Sequence, residues 1–368
     1  MDKTRMGTAE AIMVLLTVIV IHSMLSLPKD ILSSQKSASL LNIIYISIIA
    51  LVLGYIIFRL FKNFPGMDII DISEFIGGKA FKTIIGIIFI FYFLFSSSIL
   101  LRNFCESLKI IYYPMTDIIF IIALFIISVC IATTLDFSAT IKTNLIVLPI
   151  VLISIVFLFF ANMNKFVPEK IFPILGDGAY NTFIAGLTNL TSFAGMASLY
   201  FIPPLLKEPE KFKKITLISI GLMAIYLLLS VGTLLFMFSF FVDIDEITPL
   251  YNATRYIEIG SFFQRLESVF LLIWILSFAC YLSIAINFAL ETYKKITNIS
   301  KAKPMTFIGG LLIFGMALIP RDYADCQVFE KKYYRYVVFS VVFVLGFSLL
   351  IIANIAQKTQ KKFARKAS

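Results

Sequence analysis

Apolar runs of roughly twenty residues, long enough to cross a bilayer, follow one another along nearly the whole chain, separated by short polar connections. Hydrocarbon offers a backbone no water, so each run must close its hydrogen bonds internally, and the pattern predicts helices. Ten such runs can be marked: 10–31, 40–61, 83–106, 117–134, 144–161, 180–206, 216–242, 262–292, 306–319 and 334–356. Pro149 predicts a kink in the fifth. The eighth exceeds one bilayer and is expected to tilt or project. The ninth is short and carries Gly309-Gly310. The longest connections, 62–82, 162–179 and 243–261, leave room for short interfacial helices and no separate domain.

Two runs depart from plain membrane helix. In the first, His22, Ser23, Met24, Leu25 and Ser26 precede Leu27-Pro28 at mid-depth. In the sixth, Thr191, Ser192, Phe193, Ala194 and Gly195 precede Pro203-Pro204. A helix interrupted there frees N–H groups that favour a carboxylate and C=O groups that favour an ammonium. An amino acid zwitterion suits both. The two breaks lie five spans apart, which predicts two inverted halves, 1–161 and 180–356, followed by a basic tail, 357–368. The ligand-binding candidates are therefore His22, Ser23, Met24, Leu25, Ser26, Thr191, Ser192, Phe193 and Gly195. Tyr92, Ser96, Ser97, Tyr281 and Ser283 of the third and eighth spans close the pocket. Each hydroxyl could instead hydrogen-bond between packed helices. His22 could gate a proton or serve as a neutral donor to a freed carbonyl.

Four charges sit near span ends. Arg102 and Glu106 share a helix face at spacing i, i+4, and Arg265 and Glu267 open the eighth span. They form an outer gate or an inter-helix ion pair, or they lie at the interface with the long stems snorkelling. Asp136 and Lys142 read as a solvated inner connection, and Lys207 to Lys214 as ordinary cytoplasmic-side charge.

Composition agrees with the pattern. Of 368 residues, 60% are hydrophobic and 15% charged, where a soluble domain carries about a quarter charged residues. The net charge of +10 sits in short loops and the tail. Lysines and arginines fall about two to one on the N-terminal side of the membrane, which predicts both termini inside and no nucleic-acid partner. The tail is expected to touch anionic lipid. Four isolated cysteines and one histidine offer little for a metal, and no cofactor is expected. No nucleophile or acid–base pair accompanies His22, so an enzyme is not expected.

Three features carry a family resemblance: the ten-span plan, the Leu25-Ser26-Leu27-Pro28 break, and the stretch Phe263-Gln264-Arg265-Leu266-Glu267-Ser268-Val269-Phe270-Leu271-Leu272-Ile273-Trp274. The chain resembles the B subunit of bacterial spore germinant receptors, a branch of the amino acid–polyamine–organocation transporter superfamily. The resemblance implies an all-α polytopic membrane protein with a LeuT-like inverted repeat of five plus five helices, broken in helices one and six. It also implies a nutrient ligand, typically an amino acid, and partnership with an A subunit and a lipoprotein C subunit in the inner spore membrane. The alternative is an amino acid or cation symporter of the same superfamily. His22-Ser23-Met24 stands where related breaks show glycines. Met196 stands where a carboxylate is common, so no acidic ligand contact is assigned in the sixth span.

Overall fold

The computed structural model describes residues 5–24, 26–238, 249–257, 266–299 and 302–367. The described residues are almost wholly helical. The first span is α1 (Thr8–Val20), a 3-10 turn (Ile21–Met24) and α2 (Leu27–Gln35). Pro28 lies in the first turn of α2, where its missing N–H costs nothing. That placement explains why the helix restarts there instead of continuing.

α3 (Ser39–Phe61) returns across the bundle. α4 (Ile69–Tyr112) holds the third span and a short leading segment. Gly78, at φ 72°, divides the two, in a conformation that only glycine adopts without strain. α5 (Ile118–Leu135) and α6 (Phe137–Ala161) meet at Asp136, whose extended backbone makes the corner. Lys142 is thus on a helix, exposed, and not in the expected loop. α6 begins seven residues before the apolar run, directly after the Asp136 corner. Pro149 sits within α6 without ending it.

The sixth span contains no ordinary α-helix. A π turn (Tyr180–Ile184) leads into a 3-10 segment (Ala185–Tyr200), with Phe193 off helical geometry at φ −96°, ψ 24°. α7 (Phe212–Met237), the short α8 (Pro249–Arg255), α9 (Leu266–Thr297) and α10 (Met305–Ala317) follow. Asp243, Asp245 and Glu246 of the connection 243–261, and Phe263 to Arg265 of the motif, lie outside the described residues. The last span runs through α11 (Tyr323–Phe329), a π turn (Glu330–Tyr334), α12 (Arg335–Val338), a second π segment (Phe339–Leu345) and α13 (Gly346–Ala367).

The last span starts eleven residues earlier than hydropathy places it. Glu330, Lys331 and Lys332 interrupt the apolar run and read as loop, yet they continue the helix begun at Tyr323. Among the described residues, seven helical stretches are long and apolar enough to cross a membrane, and two shorter ones, Thr8–Met24 and Met305–Ala317, accompany them.

α1 is the central element. It is packed among α6, α7, α9 and the 3-10 segment. Its side chains Ala11, Val14, Leu15, Leu16, Ile19 and Val20 are buried on all sides, as expected of a helix apolar around its circumference. α3 lies along α7, and α4 along α9.

Candidate functional site

The break in the first span is polar and closed. His22, Ser23 and Ser26 are 1%, 0% and 4% exposed. Opposite them, in the π turn of the last span, lies Glu330, fully buried. His22 Nε2 is 2.6 Å from Glu330 Oε1. Ser26 Oγ donates to both carboxylate oxygens, at 3.0 and 2.9 Å. Asn103 Nδ2 of α4 donates to Oε2 at 2.5 Å, and Gln327 Nε2 donates to Asn103 Oδ1 at 3.2 Å. The Tyr334 ring packs edge-on against His22, centroids 5.1 Å apart. A π turn widens the helix by one residue per turn and recurs at functional positions. Here it turns Glu330 toward α2 and α4.

Further along the same face, Asp30 accepts from Lys331 Nζ at 3.0 Å and Arg335 Nη2 at 2.9 Å. Arg102 and Glu106 form the expected pair, at 2.7 Å between Nη2 and Oε1. Their position corrects the snorkelling alternative. Arg102 is 2% exposed, and its remaining N–H groups donate to Ala317 O at 3.2 Å and Arg321 O at 3.1 Å. The guanidinium thus closes the C-terminal end of α10, whose last carbonyls have no helical partner.

The other candidates divide into two groups. Several spend their polar atoms within the fold. Thr191 Oγ1 donates to Thr188 O and Ser192 Oγ to Asn189 O, both within their own segment. Ser283 Oγ accepts from Thr133 at 3.0 Å, and Ser23 Oγ faces Met223 Sδ at 4.0 Å. Phe193 is fully buried. Gly195 lies against the backbone of α1: a Cβ there would stand 2.6 Å from Ile19 Cα. The second group lies around the break. Tyr92 OH donates to Ala194 O at 3.0 Å, joining α4 to the sixth span where it is distorted. Tyr92 lies beside Ser96 and Tyr281, and Tyr281 beside Ser97. His22 Nδ1 is buried without a hydrogen-bond partner. Met24 lines a small apolar cavity of about 10 Å³ with Phe104, Leu108, Leu250 and Trp274. Leu25 and Arg265 lie outside the described residues, and Glu267 is half-buried in the first turn of α9.

Glu330, Asn103, Gln327 and Asp30 were not selected from the sequence. Asp322 and Asp325 carried the missing signal. The Asp322 side chain accepts from Asp325 N at 2.8 Å, an acidic cap with spacing i, i+3 that marks a helix start before the charged residues.

The profile of the family described as spore germination protein matches residues 5–325. The chain belongs to that family. It is 23% identical over 365 residues to spore germination protein YndE of Bacillus subtilis (strain 168), covering 97% of this chain and 99% of that protein. It is 27% identical over 301 residues to spore germination protein A2 of the same organism, covering 77% and 78%. Its structure is similar to that of a Na+-coupled sialic acid symporter in a substrate-bound outward-open state, with TM-score 0.67 and 14% identity over 96% of this chain and 91% of that one. The Eremococcus coleocola manganese transporter follows at 0.53 and 13%, over 94% and 77%. At such identities the likeness speaks for fold alone. This member of the spore germination family is thus an integral, multi-pass membrane protein with a LeuT-like, transporter-type fold.

The end opposite the Glu330 cluster is also held shut. Met6 N donates to Leu205 O at 2.7 Å and Lys207 N to Met6 O at 2.9 Å, pairing the chain before α1 with the end of the sixth span. Lys295 Nζ at the end of α9 bridges Asp68 Oδ2 (2.6 Å) and Asp71 Oδ2 (2.5 Å). Asp68 also caps α4, accepting from Ile70 N and Asp71 N. Burial pushes its carboxyl up to about 6, while Lys295 beside it pulls the other way.

Proposed function

We propose that this chain is the ligand-sensing membrane subunit of a spore nutrient receptor. It reads a small polar nutrient, of the amino acid class, at the break in its first span. The carrying observation is the buried polar break itself, where His22 Nδ1 has no hydrogen-bond partner, with the buried hydroxyl pairs Tyr92–Ser96 and Tyr281–Ser97 on the third and eighth spans. Buried polar atoms in a native fold are nearly always satisfied, and a ligand with donors and acceptors would satisfy this one. Family membership supports the germination role, and the transporter-type fold supports a central site.

The contacts also support a fold of ten spans in two inverted halves. The first, second, third and fourth spans each pack against the span five places on: α1 with the 3-10 segment, α3 with α7, α4 with α9, and α5 with α10. The domain halves 1–161 and 180–356, the inward-facing termini, the inner spore membrane, and the A and lipoprotein C partners belong to the same proposal.

Binding energy would shift the balance between arrangements of the broken helices, and partner subunits would read that shift. In spores carrying Ser97→Leu or Tyr281→Phe, the response to one class of nutrient should fall while the protein remains in the membrane. Normal germination with every amino acid in both variants would refute the site. The likeness to symporters along almost the whole chain favours a second reading, amino acid symport. Uptake of radiolabelled amino acid into proteoliposomes by this chain alone would establish it.

A further inference from the structure

The Glu330 carboxylate is surrounded by hydrogen-bond donors from three directions. His22 and Ser26 reach it from the break and Asn103 from α4. A sodium or other hard cation needs oxygens turned toward it. Here N–H and O–H hydrogens point at the carboxylate, which repels a metal ion. The one cation that fits is a proton. A single proton already sits between His22 Nε2 and Glu330 Oε1, since two atoms 2.6 Å apart cannot both be bare acceptors. The buried Nδ1 leaves a second position.

The neighbouring charges balance without that second proton. α2 brings Asp30, and α4 brings Arg102 and Glu106. The last span brings Glu330, Lys331 and Arg335. The carboxylates of Asp30, Glu106 and Glu330 thus stand against Lys331, Arg335 and Arg102. Tyr323, Cys326 and Tyr334 also face Glu330 from the last span, and α9 brings Tyr281 beside Tyr334. A further proton would leave one uncompensated positive charge inside the closed protein.

We propose that the His22–Glu330 pair is a proton-binding site, and that parting the first span from the last takes up one proton from water. Once α2 and the π turn separate, Glu330 loses its His22 and Ser26 donors and keeps Asn103 alone. Donors aimed at a carboxylate favour its ionised form, so losing two of the three raises its affinity for a proton. The open arrangement therefore binds the proton more tightly than the closed one, and by linkage acid favours opening. If the chain transports, the co-substrate is a proton and not sodium. The inference rests on the reading that the break is the working site, not on the identity of the nutrient.

Trp274, the only tryptophan, shares a cavity wall with Met24 of the break and Phe104 of α4 and reports on their movement. The full chain in lipid nanodiscs would be titrated from about pH 8.5 to about pH 4.5 in sodium chloride and in choline chloride, with tryptophan fluorescence as readout. The expected result is one transition with the steepness of a single proton, equal in both salts. Glu330→Gln should abolish it, and His22→Gln should move its midpoint by about one pH unit or more. A flat wild-type titration, a transition that needs sodium, or one unmoved in His22→Gln would overturn the proposal. Should Glu330→Gln fail to fold, the wild-type salt comparison and His22→Gln still decide. A flat titration together with lost nutrient response in Ser97→Leu spores would sink the proton site and leave the sensor standing.

Discussion

Arg102 is buried, and all three of its guanidinium nitrogens donate. Glu106 takes one edge, and the carbonyls of Ala317 and Arg321 take the other. Removing such a charge leaves its partner buried and unpaired, which typically costs about 3–5 kcal/mol. Arg102→Met is expected to lose that much stability, measured as a fall in thermal midpoint of the detergent-solubilised protein. Arg102→Leu combined with Glu106→Leu should recover a large part, because the lone carboxylate is gone. Gly195 poses the opposite problem. Adding one methyl would drive it into the α1 backbone at Val18 and Ile19. Overpacking of this kind costs about 1–3 kcal/mol, so Gly195→Ala should lower the midpoint as well. Bulk at Gly195 would act through packing of the first and sixth spans, not by filling a pocket.

Several elements here are defined by how they end. α4 starts where Asp68 caps it, and the same carboxylate receives Lys295 from α9. Lys295→Ala would leave Asp68 and Asp71 side by side. It should cost about 2 kcal/mol, between the values for exposed and buried pairs, with faster hydrogen exchange at the start of α4. The pH dependence has a defined sign. The Asp68 carboxyl is raised from 3.8 to about 6, so the folded chain holds this proton more tightly than the unfolded chain. Its contribution to stability therefore falls as pH rises from 3.8 toward about 6. Asp68→Asn keeps a good cap and should flatten the melting midpoint across that window.

At the scale of the molecule, the broken first span is held at both ends. The Glu330, Asp30 and Arg102 contacts tie one end of the bundle, while Met6 pairs with Leu205 and Lys207 at the other end. Deleting residues 1–6 removes the Met6 bonds and leaves Gly7, the cap of α1, in place. Hydrogen exchange at residues 205–212 should rise several-fold in that variant, with the Glu330 side unchanged. Equal exchange in both proteins would mean that the Met6 pairing does not hold the sixth span.

Sequence alone determined the membrane class, most of the helices, and the two places where helices fail. Those properties are local: twenty apolar residues have nowhere else to go, and Pro28 or a run of Thr, Ser and Gly weakens a helix wherever it lies. The Arg102–Glu106 pair was legible for the same reason, since i, i+4 spacing is a short-range fact. What faces the break was not legible. Glu330 is 308 residues from His22 in the chain, and in sequence it stands among lysines that read as loop. Only packing the last span against the first turns that carboxylate inward and gives it three donors. Burial converts an ordinary surface charge into the centre of a polar cluster, and burial is a property of the assembled fold.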